Sequence, residues 1–299
     1  MTDRARPGSL RRPRRDSQPE SRSGPKLGQN FLVDASAPGR IAEALGPLAG
    51  RTVLEIGPGK GALTGALAAR AGRVIAVELD PALAAALPAR LPGMGVEVLQ
   101  QDILQLDIGA LARRLQTRLP VAGNLPYYIT SPILRHLCLH SAGMERAVLM
   151  AQREVAERIA AAPGGREYGL LSAMTQLCAE PEILFTLPPQ AFSPPPRVHS
   201  TVFRLEMRPR FAEFAAAPEG LIVFLERAFA HKRKTLVNNL RAAGYGAEAA
   251  AEALRQCGLP AQIRAEAVPL EEMLALLRAL QRECPPPKGP ERITGAGAE

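Results

Sequence analysis

Cysteine is scarce in this sequence, and long apolar runs are missing. Only four cysteines occur in 299 residues, far apart and without a C-x-x-C pair. This spacing indicates neither a zinc site nor a disulfide framework, and a reducing compartment is the simpler expectation. No apolar run approaches the roughly 20 residues that cross a bilayer, and the N-terminus lacks the apolar core of a secretory signal. We therefore expect a soluble, cytoplasmic protein without a membrane partner. The cysteines are Cys138, Cys178, Cys257 and Cys284.

Acidic residues are outnumbered by basic ones, 29 against 37, which gives a formal net charge of +8. This balance suits a polyanionic partner without proving one. Residues 1–25 are rich in Arg, Pro, Ser and Gly and cannot bury enough apolar surface to order themselves, so we predict a disordered basic tail. It is either a nonspecific RNA-binding arm or a solvated tail, and its prolines and acidic residues disfavour a mitochondrial presequence. Residues 285–299 are predicted to be a second flexible tail.

The stretch 52–64, TVLEIGPGKGALT, combines a short apolar run with a glycine cluster and the start of an alanine-rich segment. This order predicts a strand, a tight turn and a helix. Gly57, Gly59 and Gly61 carry no β-carbon, so the backbone can approach a ligand at which the helix N-terminus points. The pattern is shorter than the G-x-G-x-x-G of dinucleotide sites and lacks the Gly-Lys-Ser/Thr ending of a phosphate loop. A small bound molecule of another kind is indicated.

Polar residues follow the next predicted strands at nearly even spacing. Glu78 ends the run 73–77, Asp102 follows the run 96–99, and Asn124 follows the run around Val121. Asp80 and the proline after it predict an N-cap that starts a helix directly after Glu78. These features predict a doubly wound α/β sheet with a ligand crevice at the carboxyl ends of its strands. Asp102 could alternatively be a simple helix cap.

The segment Asn124-Leu125-Pro126-Tyr127 indicates the chemistry. An amide oxygen and a backbone carbonyl can accept both hydrogens of an exocyclic amine, while an aromatic ring stacks on the base. Here the chain resembles N6-adenine methyltransferases that use S-adenosylmethionine. Four further segments resemble the small-subunit ribosomal RNA adenine N6-dimethyltransferase family over roughly residues 26–283: GQNFL at 28–32, EIGPGKG at 55–61, FSPPP at 192–196 with Val198 and Ser200, and KRKTL at 232–236.

The resemblance implies a Rossmann-like methyltransferase domain at 26–208 and a small helical RNA-binding domain at 209–284. The implied cofactor is S-adenosylmethionine. The implied reaction is dimethylation of two adjacent adenosines near the 3′ end of 16S ribosomal RNA, in the small subunit or its precursor. A monomer is expected.

The resemblance also assigns roles in cofactor binding. Asn30 and Leu32 belong to a lid over the methionine end, and the three loop glycines lie under the methionine part. Glu78 would bind the ribose and Asp102 the adenine amine. Asn124 is expected to border both cofactor and substrate.

In the substrate slot, Asn124 and the Leu125 carbonyl would hold the target amine and Tyr127 would stack on the base. Phe192 would face Tyr127 from the other side, or would simply be a loop residue packed on the core. No ionised catalytic carboxylate occurs in the motif, so we expect in-line methyl transfer without a strong general base. A residue set expected to contact RNA phosphates, or alternatively to form a solvated helix face, comprises Lys232, Arg233, Lys234 and Arg241.

Three weaker patterns complete the predictions. Residues 198–205 alternate like an edge strand, Ser131-Pro132 resembles a second helix cap, and 221–243 has helical apolar spacing. His136 and His140 would share a helix face, but no third ligand is near and the reaction needs none, so no metal is expected.

Other activities stay open at this stage. The related macrolide-resistance enzymes favour Ile after the slot Asn and Ser in the loop, where this chain has Leu125 and Pro58. A DNA adenine methyltransferase usually carries Asp at position 124. A noncatalytic assembly factor could keep the fold, although an intact loop and slot argue against it.

Overall fold

The computed structural model describes residues 29–283. The two predicted tails, together with residues 26–28 and Cys284, lie outside the described residues. The strands are β1 (Phe31–Leu32), β2 (Thr52–Ile56), β3 (Arg73–Glu78), β4 (Val96–Gln100), β5 (Leu119–Asn124), β6 (Met144–Gln152), β7 (Glu180–Leu187), β8 (Phe192–Ser193) and β9 (Ser200–Glu206).

The helices alternate with the strands up to β7, and within the described residues only helices follow β9. They are α1 (Ala37–Ala44), α2 (Ala62–Ala68), α3 (Pro81–Arg90), α4 (Ile108–Leu115), α5 (Thr130–Leu139), α6 (Arg153–Ile159), α7 (Leu170–Cys178), α8 (Ala212–Ala216), α9 (Pro218–Ala228), α10 (Leu236–Ala242), α11 (Ala247–Gln256) and α12 (Leu270–Glu283).

A seven-stranded sheet organises the fold, in the order β4-β3-β2-β5-β6-β9-β7. Strands β2 to β6 are parallel, and β9 runs antiparallel to both of its neighbours. The chain winds outwards in both directions from β2, which pairs with β3 on one side and β5 on the other. This confirms the doubly wound α/β prediction, and the carboxyl ends of β2 and β5 form the switch point at which such sheets bind ligands.

The prediction of an edge strand at 198–205 is wrong, because β9 lies between β6 and β7. The alternating pattern suggested an edge strand, but the charged residues of β9 are paired across the sheet. Glu206 accepts from Arg146 on β6 at 2.6 Å, and Arg204 pairs with Glu182 on β7. Charges in an interior strand are tolerated when neighbouring strands supply their partners.

Helix starts agree with the sequence at one site and differ at another. Asp80 caps α3 as predicted, accepting from the backbone N–H groups of Ala82 and Leu83. Ser131 is not a cap, because α5 already begins at Thr130. The Thr130 hydroxyl donates to the carbonyl of Pro126 at 3.2 Å, and this bond ties the first residue of α5 to the slot segment.

The helical spacing over 221–243 does not produce one helix. Helix α9 ends at Ala228 and α10 begins at Leu236. The buried amide of Asn239 donates to the carbonyls of Ala228 and His231, and the Leu236 N–H donates to Ile263. These bonds hold the chain in a turn, so the basic run 232–234 lies on a loop instead of on a helix face.

The helical part does not have a separate core. One continuous cluster of buried apolar side chains runs from the sheet, including Leu54 and Val121, through α9 to Leu280 in α12. A second cluster covers the other face of the sheet under α1, α2 and α3. The division after residue 208 coincides with the last strand, and it stays a prediction as a functional boundary.

Candidate active site

The glycine loop has the backbone that its sequence requires. Gly57, Gly59 and Gly61 have φ values of 65°, 56° and 89°, a left-handed region that favours glycine. A β-carbon on Gly59 would lie 3.2 Å from the Phe31 ring, and one on Gly61 would lie 2.7 Å from Leu87. The loop therefore combines an unusual backbone with close packing, and it keeps its backbone open toward the crevice.

Glu78 fixes this loop to the end of β3. One carboxylate oxygen accepts from the Gly59 N–H at 3.0 Å, and the other accepts from the Asp80 N–H at 2.9 Å. The side chain is only 5% exposed and lines the crevice. Each carboxylate oxygen can accept a further hydrogen bond, so the residue can receive hydroxyl groups of a ligand while it holds the loop.

A second carboxyl group in the crevice was missed by the sequence predictions. Glu55 precedes the loop on β2, is 1% exposed and is among the residues that line the crevice, and one of its buried oxygens has no hydrogen-bond partner within the described residues. Burial raises the pKa of this carboxyl from 4.5 to about 8, and the nearby Glu78 acts in the same direction. A buried carboxyl without a partner favours a ligand that brings a positive charge or a hydrogen-bond donor.

The slot segment begins with Asn124 at the carboxyl end of β5, and this residue is bonded to the lid. The amide nitrogen of Asn124 donates to the backbone carbonyl of Asn30 at 3.1 Å. This bond fixes the orientation of the amide, so its oxygen is kept for another donor. The Leu125 N–H donates to the Met150 carbonyl at 2.9 Å, which holds the segment on β6. Asn124 and Leu125 both line the crevice.

Tyr127 has its ring at the crevice and its hydroxyl anchored behind it. The hydroxyl lies 2.5 Å from that of Ser200, a fully buried residue at the start of β9. Burial raises the pKa of Tyr127, so the phenol stays neutral at physiological pH. The next residue, Tyr128, is 57% exposed. Ser200 was recognised in the sequence as part of a family motif, but no role was predicted for it.

The lid is held by strand pairing and by a cation–π contact. Strand β1 pairs with β8, with Leu32 opposite Phe192. The Lys60 ammonium lies 4.3 Å from the centre of the Phe31 ring. Asn30 and Leu32 line the crevice, as their expected contact with a cofactor requires.

Phe192 is buried next to the lid strand. Its side chain is 3% exposed and packs in the cluster under the lid with Leu32 and Ala191, and it is absent from the residues lining the crevice. This burial agrees with packing on the core, and the stacking of Phe192 on a bound base stays a prediction. The ring supports the lid strand with which it pairs.

Asp102 borders a second hollow that continues the first. One oxygen caps a short helical turn by accepting from the Leu104 N–H at 3.0 Å. The residue also lines this hollow, so the cap and a ligand contact are compatible. The two hollows form one elongated crevice, because they share four lining residues: Gln29, Gly57, Glu78 and Pro126.

These residues fit S-adenosylmethionine. The unpartnered Glu55 oxygen suits the cationic amino-acid end, the glycine backbone leaves room above it, and Glu78 suits a ribose. The Asp102 hollow would take the adenine. Carboxylate acceptors, an amide and an open backbone along one crevice match the hydrogen-bonding groups of this cofactor.

The four basic residues predicted to contact RNA are exposed. Lys232, Arg233 and Lys234 lie on the loop between α9 and α10, and Arg241 lies in the last turn of α10. Within residues 29–283 no ion pair involves any of them. Lys234 and Arg241 line one shallow hollow, whereas Lys232 lines a larger cavity on another side of the loop.

His136 of α5 and His140, which directly follows this helix, both contact other residues of the protein. Their rings lie 4.5 Å apart, His136 contacts the Leu106 carbonyl at 2.9 Å, and His140 lies 3.5 Å from Asp107. Burial lowers the pKa of both. Among the described residues no three His, Cys, Asp or Glu side chains are grouped to hold a metal ion, and no described helix is long and apolar enough to span a membrane.

Comparison with known proteins gives consistent matches. A family model described as "Ribosomal RNA adenine dimethylase" matches residues 21–282. Two curated relatives are named "Ribosomal RNA small subunit methyltransferase A". The one from Acidobacterium capsulatum is 55% identical over 86% of this chain and 91% of its own length. The one from Koribacter versatilis is 48% identical over 90% of this chain and 97% of its own length.

Solved structures agree on the fold. The structure of the 23S rRNA methyltransferase ErmE matches with a TM-score of 0.59 and 30% identity, over 84% of this chain and all of that one. A dimethyladenosine transferase from Plasmodium falciparum matches with a TM-score of 0.70 and 23% identity, over 85% of this chain and 98% of that one. At this identity the second match supports the fold alone.

Proposed function

The chain belongs to the ribosomal RNA adenine dimethylase family, whose methyl donor is S-adenosylmethionine, and on that premise we propose that its substrate is the 16S RNA of the small ribosomal subunit or its precursor. There it dimethylates N6 of two adjacent adenosines near the 3′ end. The names of the two curated relatives support the small subunit as the partner.

The orientation of the Asn124 amide carries the mechanism. Because its nitrogen donates to Asn30, its oxygen accepts one N6–H of the adenosine while the Leu125 carbonyl accepts the other. Two acceptors in this arrangement hold the nitrogen in place and draw its lone pair out of conjugation with the ring. Tyr127, anchored through Ser200, stacks on the base. Its π face stabilises the positive charge that develops on the target nitrogen.

The bound cofactor supplies an electrophilic methyl group. The chain's own residues hold both partners, and positioning provides most of the acceleration. The methylated nitrogen is then acidic and loses a proton to solvent, so no strong base is needed. After the first transfer one N–H remains, and either acceptor can hold it during the second. Glu55, Glu78, Asp102 and the loop glycines bind the cofactor, with Asn30 and Leu32 closing over it.

We also assign RNA phosphate contacts to Lys232, Arg233, Lys234 and Arg241, because exposed cations without ion-pair partners are suited to a polyanion. Residues 26–208 act as the catalytic part and 209–284 as the RNA-binding part. The enzyme acts as a cytoplasmic monomer. Light scattering should give the mass of one 31.9 kDa chain, and a doubled mass would refute the monomer.

The deciding experiment uses labelled S-adenosylmethionine with small ribosomal subunits from cells that lack this methylation, followed by nucleoside analysis. Dimethyladenosine in the small-subunit RNA is the expected product. Large subunits serve as the competing substrate, since the ErmE match carries that specificity in its name. Label in large-subunit RNA or in DNA alone would overturn the substrate assignment, and cofactor binding without any transfer would indicate a noncatalytic factor.

A further inference from the structure

A large cavity lies between the sheet part and the helical part, away from the cofactor crevice. Its volume is about 720 Å³, and its walls come from α5, the segment before α7, and the α9–α10 loop. It begins at Ser131 and Pro132, the exposed first turn of the helix that follows the slot segment. Lys232 of the basic loop lies on its wall, together with Phe229.

Two polar side chains in the cavity wall have atoms without a protein partner. The hydroxyl of Tyr168, 1% exposed, has none, and neither has the amide oxygen of Asn239, 2% exposed. Buried polar groups in folded proteins are nearly always satisfied, by protein or by something bound. Tyr168 also packs edge-on against Phe229, with ring centres 6.2 Å apart. The wall therefore combines the partly exposed Phe229 ring with buried polar atoms that have no hydrogen-bond partner within the described residues.

Most charges on the wall are already paired, and Glu167 and Glu266 each lie 3.9 Å from an arginine. Arg135 is paired with Glu226 at 2.6 Å, and Arg158 is paired with Glu154 at 2.6 Å. Lys232 has no ion pair within the described part of the chain and is exposed at the rim, as a contact with a phosphate requires. An aromatic surface, hydrogen-bonding groups and a rim cation are the elements that bind an unstacked base with its backbone.

The position relates the cavity to the slot. Ser131 follows Tyr127 by four residues, roughly 6 Å along a helix. The cavity wall at Ser131 is therefore close enough to the slot to be reached by a nucleotide adjacent to the adenosine there. We propose that this cavity is a second base-binding subsite, which holds the nucleotide adjacent to the adenosine being methylated. The inference rests on the proposed function, since it needs an RNA strand at the slot.

Gly169 offers a way to fill the cavity without strain. It lines the wall, its φ of −170° is extended backbone open to any residue, and an added β-carbon meets no atom within 4 Å. Gly169→Trp should lower kcat/KM for the ribosomal substrate at least about tenfold while leaving S-adenosylhomocysteine affinity unchanged. Gly220→Trp is the matched control, because Gly220 is equally free of contacts but lies outside the cavity.

Tyr168→Phe tests the hydrogen-bonding group alone. Because its hydroxyl has no protein partner, the change should not lower the free energy of unfolding, yet kcat/KM should fall about fivefold or more through the loss of a ligand contact. Unchanged kcat/KM in this variant would contradict the subsite.

A thermodynamic cycle completes the test, using small subunits assembled with RNA that carries an abasic residue beside the target adenosine. With wild-type enzyme the abasic residue should reduce kcat/KM about as much as Gly169→Trp does, and the two changes together should cost no more than either alone. Losses that multiply, or a Gly169→Trp variant as active as the Gly220→Trp control, would overturn the subsite while leaving the proposed function intact. If wild-type enzyme transfers no methyl group to normal subunits, the proposed function itself fails and the subsite with it.

Discussion

Replacing Glu55 by Gln should make the apo protein more stable at pH 8 and should weaken its hold on the cofactor. Glutamine keeps the shape of the side chain but carries no charge that burial can penalise. Glu55 is buried in the crevice with an unpartnered oxygen, and its pKa is raised from 4.5 to about 8. The lower stability of the apo protein and the tighter binding of the cofactor therefore have one cause, a buried carboxyl group without a protein partner.

The magnitude follows from proton linkage. A carboxyl with a raised pKa binds its proton more tightly in the folded state than in the unfolded state. Stability is therefore lost as pH rises through the window from 4.5 to about 8. Each pKa unit corresponds to about 1.4 kcal/mol, so the wild type should lose about 4 kcal/mol across this window relative to Glu55→Gln.

Urea unfolding of the apo protein at several pH values measures this difference. Glu97→Gln is the matched control, since Glu97 is a carboxylate of the same sheet that is 39% exposed and paired with Arg73. Equal pH dependence of unfolding in Glu55→Gln and wild type would refute the reasoning.

Cofactor binding gives an independent measurement. An ammonium group beside Glu55 stabilises its ionised form, so binding of S-adenosylhomocysteine at pH 7 should release up to one proton. Calorimetry in two buffers with different ionisation enthalpies detects that release, and Glu55→Gln should abolish it. The loss of a charged hydrogen bond should also weaken binding about 10- to 100-fold. Undiminished affinity would exclude contact between Glu55 and the cofactor.

Three other predictions concern the slot and the loop. Asn124→Ala should reduce kcat at least about 100-fold by removing an acceptor for the target amine, and it should weaken S-adenosylhomocysteine binding less, because the lid keeps its pairing with β8. Full methylation by a folded variant would contradict the mechanism. Ser200→Ala and Tyr127→Phe should each lower kcat about tenfold, because each removes the same hydrogen bond. The double variant should therefore have a kcat no lower than either single variant. Reductions of kcat that multiply in the double variant, measured in stopped-time assays, would contradict the anchoring role. Gly59→Ala places a β-carbon 3.2 Å from Phe31 at a φ of 56°. This change should weaken cofactor binding about tenfold and lower the free energy of unfolding by about 1 kcal/mol, as titration and urea unfolding would check. Wild-type affinity would mean that the loop backbone tolerates a side chain.

The parts of the site that sequence reasoning located are those specified by neighbouring residues. A left-handed turn requires glycine whatever surrounds it, so the loop at 57–61 was visible. The positions of Glu78 and Asn124 followed from the end of each apolar run. Asp80 and its following proline fixed a helix start in the same local way.

The parts that were missed depend on contacts between distant segments. Asn124 and Asn30 are 94 residues apart in the chain, and Tyr127 and Ser200 are 73 apart. Neither bond leaves a mark on the local pattern. Glu55 was missed because a carboxylate within an apolar strand gives no sign of whether its side chain finds a partner.

The misjudged basic loop has the same kind of cause. Apolar spacing continues across residues 221–243, yet Asn239 pulls the chain into a turn through bonds to Ala228 and His231. Only the folded arrangement shows that this amide is buried. Periodicity described the faces of both helices correctly and could not detect the break between them.

The continuous apolar cluster that joins the sheet to α12 makes the two functional parts inseparable in folding. A fragment ending near residue 208 would expose the sheet-side members of that cluster, such as Leu177 and Leu205, while the helices alone would lose the surface on which they pack. Unfolding should be a single cooperative transition, in which damage to the helical part also inactivates the methyl-transfer site. Insertions and deletions between the parts are therefore restricted, and the distance from the residues proposed to contact RNA to the proposed methylation slot is fixed by the packing of one core.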